Sequence, residues 1–338
     1  MAKFIPRQSF PVPNSIPKTY YLGHHAAGES KIVSLLSNIS LVLECRDFRL
    51  PLSTHNPRLE RSLAGRERII VYTKSDLVDD SHGATGDALR RLYGDRLVFW
   101  NKNKPSTTKL LLKKVEEIAR AVDKLTGMRT LVVGMPNVGK STLLNKLRST
   151  GLPIKTAKVA KTGDQAGVTR KVGTPVRILE SEDKGGVADG VFVLDTPGIF
   201  QPYINDGETM IKIALVQGIK KGLILDEILV DYLLFQMNKR DPNIYARYCK
   251  PTNDVNEFLT AVAVKDGKIK VGGVPNWREA AARVLSQWRD GKLGNFVLDD
   301  LSDEAVHKYK TRTLEPALSL NQAKKQQKLA RAQLRAGA

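Results

Sequence analysis

Gly134-Met135-Pro136-Asn137-Val138-Gly139-Lys140-Ser141 carries the spacing of a phosphate-binding P-loop, and its surroundings fit. Thr130–Val133 before it is short, apolar and β-branched; from Thr142 the pattern turns helical. Strand, glycine-rich turn and helix N-terminus in that order let backbone N–H groups wrap a β-phosphate, with the positive helix end behind them. Lys140 neutralises β- and γ-phosphate charge and Ser141 offers a hydroxyl to Mg²⁺. Val138, Gly139 and Thr142 complete the expected cradle.

Two further elements belong with it. Asp195-Thr196-Pro197-Gly198 follows the strand-like run Val191–Leu194. A carboxylate at Asp195 can hold Mg²⁺ through water, and Gly198 keeps a side chain away from a γ-phosphate. Between the two motifs, Gly167-Val168-Thr169 places Thr169 as the hydroxyl that closes on the metal; its position carries that expectation. The base reader is Thr73-Lys74-Ser75-Asp76, directly after the run Ile69–Tyr72. Asp76 can accept guanine N1–H and N2–H, which adenine lacks, and the Lys74 stem can cover the base. The usual first residue is Asn. Thr73 is shorter, so an amide contact is expected to be lost and nucleotide affinity to be modest. Val98-Phe99-Trp100-Asn101-Lys102 is where a second base-contacting loop should fall. The base reader therefore precedes the P-loop, whereas the common arrangement places it last.

A rival motif would restore the common order. Asn238-Lys239-Arg240-Asp241 spells N-K-x-D after Asp195. Its context is wrong: it ends the helical pattern Leu223–Met237, and Pro242 stops the helix. Leu41–Leu43, then Arg46-Asp47 to Pro51, then Ile69–Tyr72 gives the strand–helix–strand that a base-reading half needs, which favours Asp76 over Asp241.

Outward from these motifs, apolar runs at Leu41–Leu43, Ile69–Tyr72, Leu97–Trp100, Thr130–Val133, Val176–Leu179 and Val191–Leu194 alternate with helical patterns such as Thr107–Leu125. That alternation predicts a mostly parallel, six-stranded α/β domain, residues 28–203. Ser181–Gly190 reads as a loop. Beyond Pro202, Met210–Ile219, Leu223–Asn238, Val255–Val264 and Trp277–Asp290 are helical, with one short strand near Lys268–Val271; they predict a smaller helical domain, residues 204–312. Leu223–Met237, with Asp226, Glu227 and Asp231, reads as an amphipathic helix. Residues 313–338 form a basic tail, either a helix on RNA or a solvated end. Residues 1–27 are an arm without acids, either a targeting segment or an ordinary extended arm.

The 338 residues carry a net charge of +19, which points to a polyanion: nucleic acid first, an anionic membrane surface second. No run of about 18 apolar residues predicts a transmembrane helix. Cys45 and Cys249 offer no metal-site spacing, and Cys45 is expected in the core.

The permuted order of base reader, P-loop, Gly-Val-Thr and Asp-Thr-Pro-Gly resembles the circularly permuted GTPases of ribosome assembly, and within them the YlqF-type branch with its mitochondrial members. Gly23-His24 matches that branch's N-terminal Gly-His. Leu43-Glu44-Cys45-Arg46-Asp47, then Arg49-Leu50-Pro51-Leu52-Ser53 and Asn56-Pro57, resembles its V-x-D-A-R-x-P-x-S-x-x-N-P stretch, and Asp290-Gly291-Lys292-Leu293-Gly294 resembles its helix-ending turn. The likeness spans residues 20–300. The departures are Thr73 for Asn, His25 for an apolar residue, and Glu44-Cys45-Arg46-Asp47, which meets the Asp-Ala-Arg pattern only with a shift.

The resemblance implies binding of GTP and GDP, GTP hydrolysis, and coupling to late maturation of the large ribosomal subunit, with turnover stimulated by the subunit or its rRNA. It implies a mitochondrial matrix location, with peripheral association at the inner membrane. Ile199 stands where Ras-type GTPases have a water-orienting Gln and cannot orient water. The resemblance assigns that task to His24; His25 is the alternative. Asn137 stands where K⁺-dependent GTPases keep an Asn, so K⁺ joins Mg²⁺ as an expected cofactor. Permutation runs the Asp195 strand straight into the helical domain through Phe200–Tyr203. That domain is expected to bind rRNA through shape and phosphate contacts. The competing readings are an RNA-binding scaffold with a structural nucleotide site, and a P-loop ATPase.

Overall fold

The computed structural model describes residues 4–18, 23–78, 83–122, 126–152, 172–200, 204, 206–314, 322, 325 and 329. Six strands form one sheet: β1 (Leu41–Asp47), β2 (Glu67–Thr73), β3 (Leu97–Phe99), β4 (Met128–Gly134), β5 (Val176–Leu179) and β6 (Val191–Asp195). Their order is β3-β2-β1-β4-β6-β5, with every pairing parallel except β5 on β6. All six expected strands are present. β1 is buried along its whole length, as a parallel strand covered on both faces must be.

The strand period separates two cores. Leu43, Val132 and Val193 face α4 (Pro105–Ala121) and α5 (Lys140–Gly151), where Leu111 and Leu143 meet them. Val42, Leu131, Val133 and Leu194 pack on Ile32 of the first helix, on Leu36 just past its end, and on Leu59 of the second helix. Helix α1 spans Gly23–Leu35 and α2 spans Pro57–Ser62. A third cluster joins Ile70 and Tyr72 to Leu89 of α3 (Ala84–Tyr93).

The sheet order states the permutation in space. β1, β2 and β3 build outward on one side of the centre, β4, β6 and β5 on the other. Between β1 and β4, where connections leave in opposite directions, lies the crevice that doubly wound sheets use for ligands. At that line Cys45 pairs with Gly134. A Cβ on Gly134 would sit 2.3 Å from the Cys45 carbonyl oxygen, so glycine starts the P-loop because no side chain fits between the strands. Cys45 is fully buried, and burial pushes its thiol up to about 12.

The helical region comprises α6 (Gly207–Leu215), α7 (Asp226–Arg240), α8 (Val255–Lys265) and α9 (Trp277–Arg289), followed by α10 (Asp303–Leu314). Asp206, Asp254 and Asn276 cap the first turns of α6, α8 and α9, each cap being worth about 1 kcal/mol. The expected strand near Lys268–Val271 is a single bridge, Ile269 to Pro275.

α7 corrects the amphipathic expectation. Nine of its fifteen residues are buried, including Gln236 and Asn238. It packs against α6, α8 and α9, and the far end of the chain completes its cover. Phe10 meets the Tyr232 ring edge-on at 5.1 Å, Arg7 pairs with Asp231 at 2.6 Å, and the Ile5 carbonyl accepts from Asn253. The acid-free N-terminal stretch is thus folded onto the helical region over residues 4–18, and the Lys18 carbonyl accepts from Ile204 N.

Candidate functional site

The carboxyl ends of β1, β2, β3, β4 and β6 lie along one edge of the sheet, and the motif residues collect there. At β4 the turn closes on Gly139 (φ 92°), whose carbonyl accepts from Leu143 N as α5 begins. Lys140 is buried, its ammonium donating to the carbonyls of Met135 at 2.7 Å and Gly134 at 3.3 Å. Burial pushes that ammonium below its ordinary value, Asp195 and Cys45 opposing. A polyphosphate in the loop would reverse the trend and draw Lys140 off its own carbonyls. Thr142 lies in the first turn of α5 beside Ser141.

Asp195 ends β6 facing α5. The Ser141 hydroxyl donates to Asp195 Oδ2 at 2.6 Å, while Asp195 Oδ1 is buried with no partner among the described residues. Burial pushes the carboxyl up, with the Ser141 hydrogen bond and the Lys140 charge opposing. A carboxylate oxygen without a donor, beside a hydroxyl at the mouth of a P-loop, is a hard-cation donor set, and it fits Mg²⁺. Thr169 lies outside the described residues. Gly198 packs its backbone on the P-loop: a Cβ there would come within 2.6 Å of Pro136 Cα. The glycine is therefore required for this close approach, whatever its N–H meets.

The base-reading element stands at the end of β2. Thr73 is fully buried, its hydroxyl donating to the Val138 carbonyl at 2.5 Å with the Arg46 carbonyl at 3.1 Å. Thr73 does not simply lose a contact relative to Asn; it bolts the base reader to the P-loop. Lys74 adopts φ 58°, a left-handed conformation that is uncommon for a lysine. Its ammonium reaches Asp47 at 2.7 Å. Asp76 Oδ1 is buried and without a partner among the described residues. Trp100 closes the edge: its N–H donates to the Tyr72 carbonyl and its carbonyl accepts from Ser75, and the Lys102 charge two residues on is felt at Lys74.

The rival motif is consumed by structure. Asn238 is buried; its amide donates to the Thr252 carbonyl at 2.8 Å and accepts from the Tyr245 hydroxyl at 2.6 Å. Asp241 caps the following turn by accepting from Asn243 N at 2.8 Å. Lys239 lies over the Phe235 ring and Arg240 over Phe296. Among the described residues the motif ends a helix and is followed by a short turn, with no strand adjoining it in the chain.

A family profile described as 50S ribosome-binding GTPase matches residues 129–265. Mitochondrial GTPase 1 of Schizosaccharomyces japonicus is 38% identical over 309 residues, covering 85% of this chain and 91% of the relative. The chain belongs to that family. Mitochondrial ribosome-associated GTPase 1 of Mus musculus, 31% identical, covers 87% of this chain and 93% of its own. The crystal structure of GNP-bound YlqF from T. maritima aligns with a TM-score of 0.54 at 29% identity over 81% of this chain and 98% of that one. A family member of this build is a GTP hydrolase on a circularly permuted P-loop domain followed by a helical region.

Within the family frame, one reading of the sequence is corrected. The D-x-R-x-P spacing falls without any shift on Asp47-Phe48-Arg49-Leu50-Pro51. Asp47 is buried and receives the Arg49 guanidinium on both oxygens, at 3.0 and 2.8 Å. Burial alone would raise its carboxyl; Arg49 and Lys74 outweigh that and hold it well below the usual carboxylate range. Glu44 and Arg46, which mimic the pattern three residues earlier, form a separate pair at 2.6 Å. They belong to a network with Arg68, Glu60 and His55 that reaches the hydroxyls of Tyr93 and Tyr309. Glu44, His55 and Glu60 come close enough to suggest a metal, but Arg46 and Arg68 already balance the two carboxylates. The network docks α10 on the sheet domain.

Two expected residues sit as follows. Asn137 (φ 57°) donates its side-chain amide to the Gln217 carbonyl at 2.8 Å, tying the P-loop to the end of α6. His24 lies in the first turn of α1, with its side chain outside the described residues, as is that of His25. One turn further along the same face, a Cβ at Gly28 would meet Pro197 at 3.7 Å, and one turn beyond that Ile32 shares a core with Ile199. No described helix is long and apolar enough to cross a membrane.

Proposed function

We propose that this protein binds GTP along the carboxyl edge of its sheet and couples hydrolysis to late maturation of the large ribosomal subunit in the mitochondrial matrix. The observation that carries the nucleotide assignment is a pair of stranded oxygens. Asp76 Oδ1 and Asp195 Oδ1 are both buried and lack partners among the described residues, one at each end of the edge. Leaving such an atom unpaired costs about 1–3 kcal/mol. A guanine offers N–H donors to the first, a metal the second; one Mg·GTP satisfies both.

In this reading Val138, Gly139, Lys140, Ser141 and Thr142 hold the phosphates, Ser141, Thr169 and Asp195 hold Mg²⁺, and Lys74 and Asp76 read the base while Thr73 fastens them to the P-loop. Mg²⁺ held there would supply positive charge against the charge that develops on the phosphates. Lys140 leaves the Met135 carbonyl for the phosphates. Water attacks the γ-phosphorus in line, the bond to the β-oxygen breaks, and GDP and inorganic phosphate leave. Ile199 is buried on α1, so the residue that could have faced the water instead packs against the helix whose first turn contains His24. His24 orients the water. K⁺ is the further cofactor; Asn137 would hold it through its side-chain carbonyl oxygen, which is compatible with its N–H donating to the Gln217 carbonyl.

Support for the ribosomal role comes from the family, whose members include mitochondrial ribosome-associated GTPase 1, and from the +19 charge. The test is co-sedimentation with mitochondrial large subunits in GDP and in a non-hydrolysable GTP analogue, with turnover measured alongside. The expectation is tighter association in the analogue and faster turnover with subunits. Equal association in both states, with turnover unmoved, would leave the maturation role without support.

A further inference from the structure

We propose that Asp47 and Arg49 are positioning residues for guanine recognition, and that Trp288 of the helical region sets them. The proposal rests on Thr73-Lys74-Ser75-Asp76 being the base reader and adds how that element is held.

Lys74 is the least settled residue of the reader by its own conformation, since a left-handed φ is unfavourable for a side chain with a Cβ. What fixes it is one ion pair. Asp47 Oδ2 accepts from Lys74 Nζ at 2.7 Å and from Arg49 at 2.8 Å, so a single carboxylate spans both cations. The backbone repeats the link: Asp47 pairs with Thr73 in register, and Phe48 N donates to the Thr73 carbonyl at 3.1 Å. Asp47 and Arg49 are buried while Lys74 keeps an exposed flank, which is the arrangement for aiming a side chain at a ligand and not for closing a core. With the ammonium pinned, the Lys74 stem is a fixed wall for a flat ring.

The helical region reaches this pair from the other side. Arg49 lies over the Trp288 ring of α9 at 5.0 Å, and its carbonyl accepts from Leu298 N at 2.8 Å. Past the end of α9, Gly291 (φ 73°) abuts the residue after Asp76: a Cβ there would come within 3.0 Å of Leu77 Cδ2. Two independent contacts thus join α9 and its turn to the base reader, on both flanks of Asp76. A shift of α9 moves Arg49, then Asp47, then Lys74. Whatever displaces the helical region is therefore felt at the base end of the nucleotide, in addition to the phosphate end, which the Asn137–Gln217 link reaches.

The test compares GTP with ribose 5′-triphosphate, which has the phosphates and no base. Affinities are measured for the wild type and for Asp47→Asn, Arg49→Lys and Trp288→Phe, each with a thermal melt. Asp47→Asn and Arg49→Lys are expected to lose roughly tenfold in GTP affinity, the scale of one charge-assisted hydrogen bond, and Trp288→Phe a few-fold. Ribose 5′-triphosphate binding should stay within twofold throughout. Equal losses for both ligands would mean general damage and overturn the proposal, as would unchanged GTP affinity in variants that melt like the wild type. Asp76→Asn separates the two layers. If it fails to turn preference to xanthine nucleotides, the base-reader assignment itself falls. If it succeeds while the GTP to ribose-triphosphate ratio is unmoved in the other variants, only the present inference falls.

Discussion

Thr73-Lys74-Ser75-Asp76 is an imperfect N-K-x-D and Asn238-Lys239-Arg240-Asp241 is a perfect one, yet only the imperfect one stands at a strand end beside the P-loop. The first leaves a carboxylate oxygen, Asp76 Oδ1, without a partner among the described residues. The second uses Asn238 to join Thr252 and Tyr245, and Asp241 to cap a turn. A recognition element must hold something back for its ligand; a structural element uses up its polar groups. Spelling does not distinguish the two, and unsatisfied valence does.

The largest expected effect breaks the symmetry between the two aspartates. Asp76→Asn replaces an acceptor facing two N–H groups with an amide that matches xanthine better. GTP affinity should fall by roughly 10²-fold or more, since each hydrogen bond to a charged group is worth about 1.5–3 kcal/mol, while xanthosine triphosphate gains. Asp241→Asn should leave both affinities unchanged. Competition binding with the two nucleotides reads this directly, and a xanthine shift at Asp241 would reverse the assignment of order.

A second, smaller effect tests the structural side. Asn238→Ala removes a buried amide and strips a partner from the Thr252 carbonyl and the Tyr245 hydroxyl. The cost should be about 2–3 kcal/mol of stability, seen as a melting temperature lower by roughly 5 °C, with GTP affinity intact. Loss of nucleotide binding in a variant that still melts cooperatively would give Asn238 a role that its hydrogen bonds do not suggest.

The same contrast explains what the sequence disclosed. Thr130–Val133, the P-loop and the Asp195 strand were legible because each is local: a run, a turn and a helix start within a dozen residues. The permuted order and the six strands followed from such units. Three features were not legible, because they are contacts between distant residues. Part of the cover of α7 comes from Phe10 and Arg7, more than 200 positions away, so its residues looked half exposed. Thr73 looked like a loss because its partner, the Val138 carbonyl, lies 65 residues downstream. Asp47 and Arg49 were obscured by Glu44-Cys45-Arg46, an acid-small-basic triplet three residues earlier that forms its own ion pair toward α10. The family spacing to Pro51 separates the two triplets; the strand register to Thr73 shows why the later one matters.

The smallest expected effect concerns the bolt between the two halves. Thr73→Val keeps shape and volume in a site with no exposed surface, and removes only the hydroxyl that donates to Val138. The unpaired carbonyl and the lost hydrogen bond together should cost about 1 kcal/mol. How that cost divides is informative. If Thr73 merely packs, the whole of it appears in the melt of the nucleotide-free protein. If it aligns the base reader with the P-loop, GTP affinity falls roughly fivefold while free guanosine, which engages only the base end, and inorganic triphosphate, which engages only the phosphate end, bind as before. The loss then belongs to the alignment of two sites and not to either one. An equal loss for guanosine would place the defect inside the base reader, and the hydroxyl would be a local brace on Asp76 and not a bridge across the permuted halves.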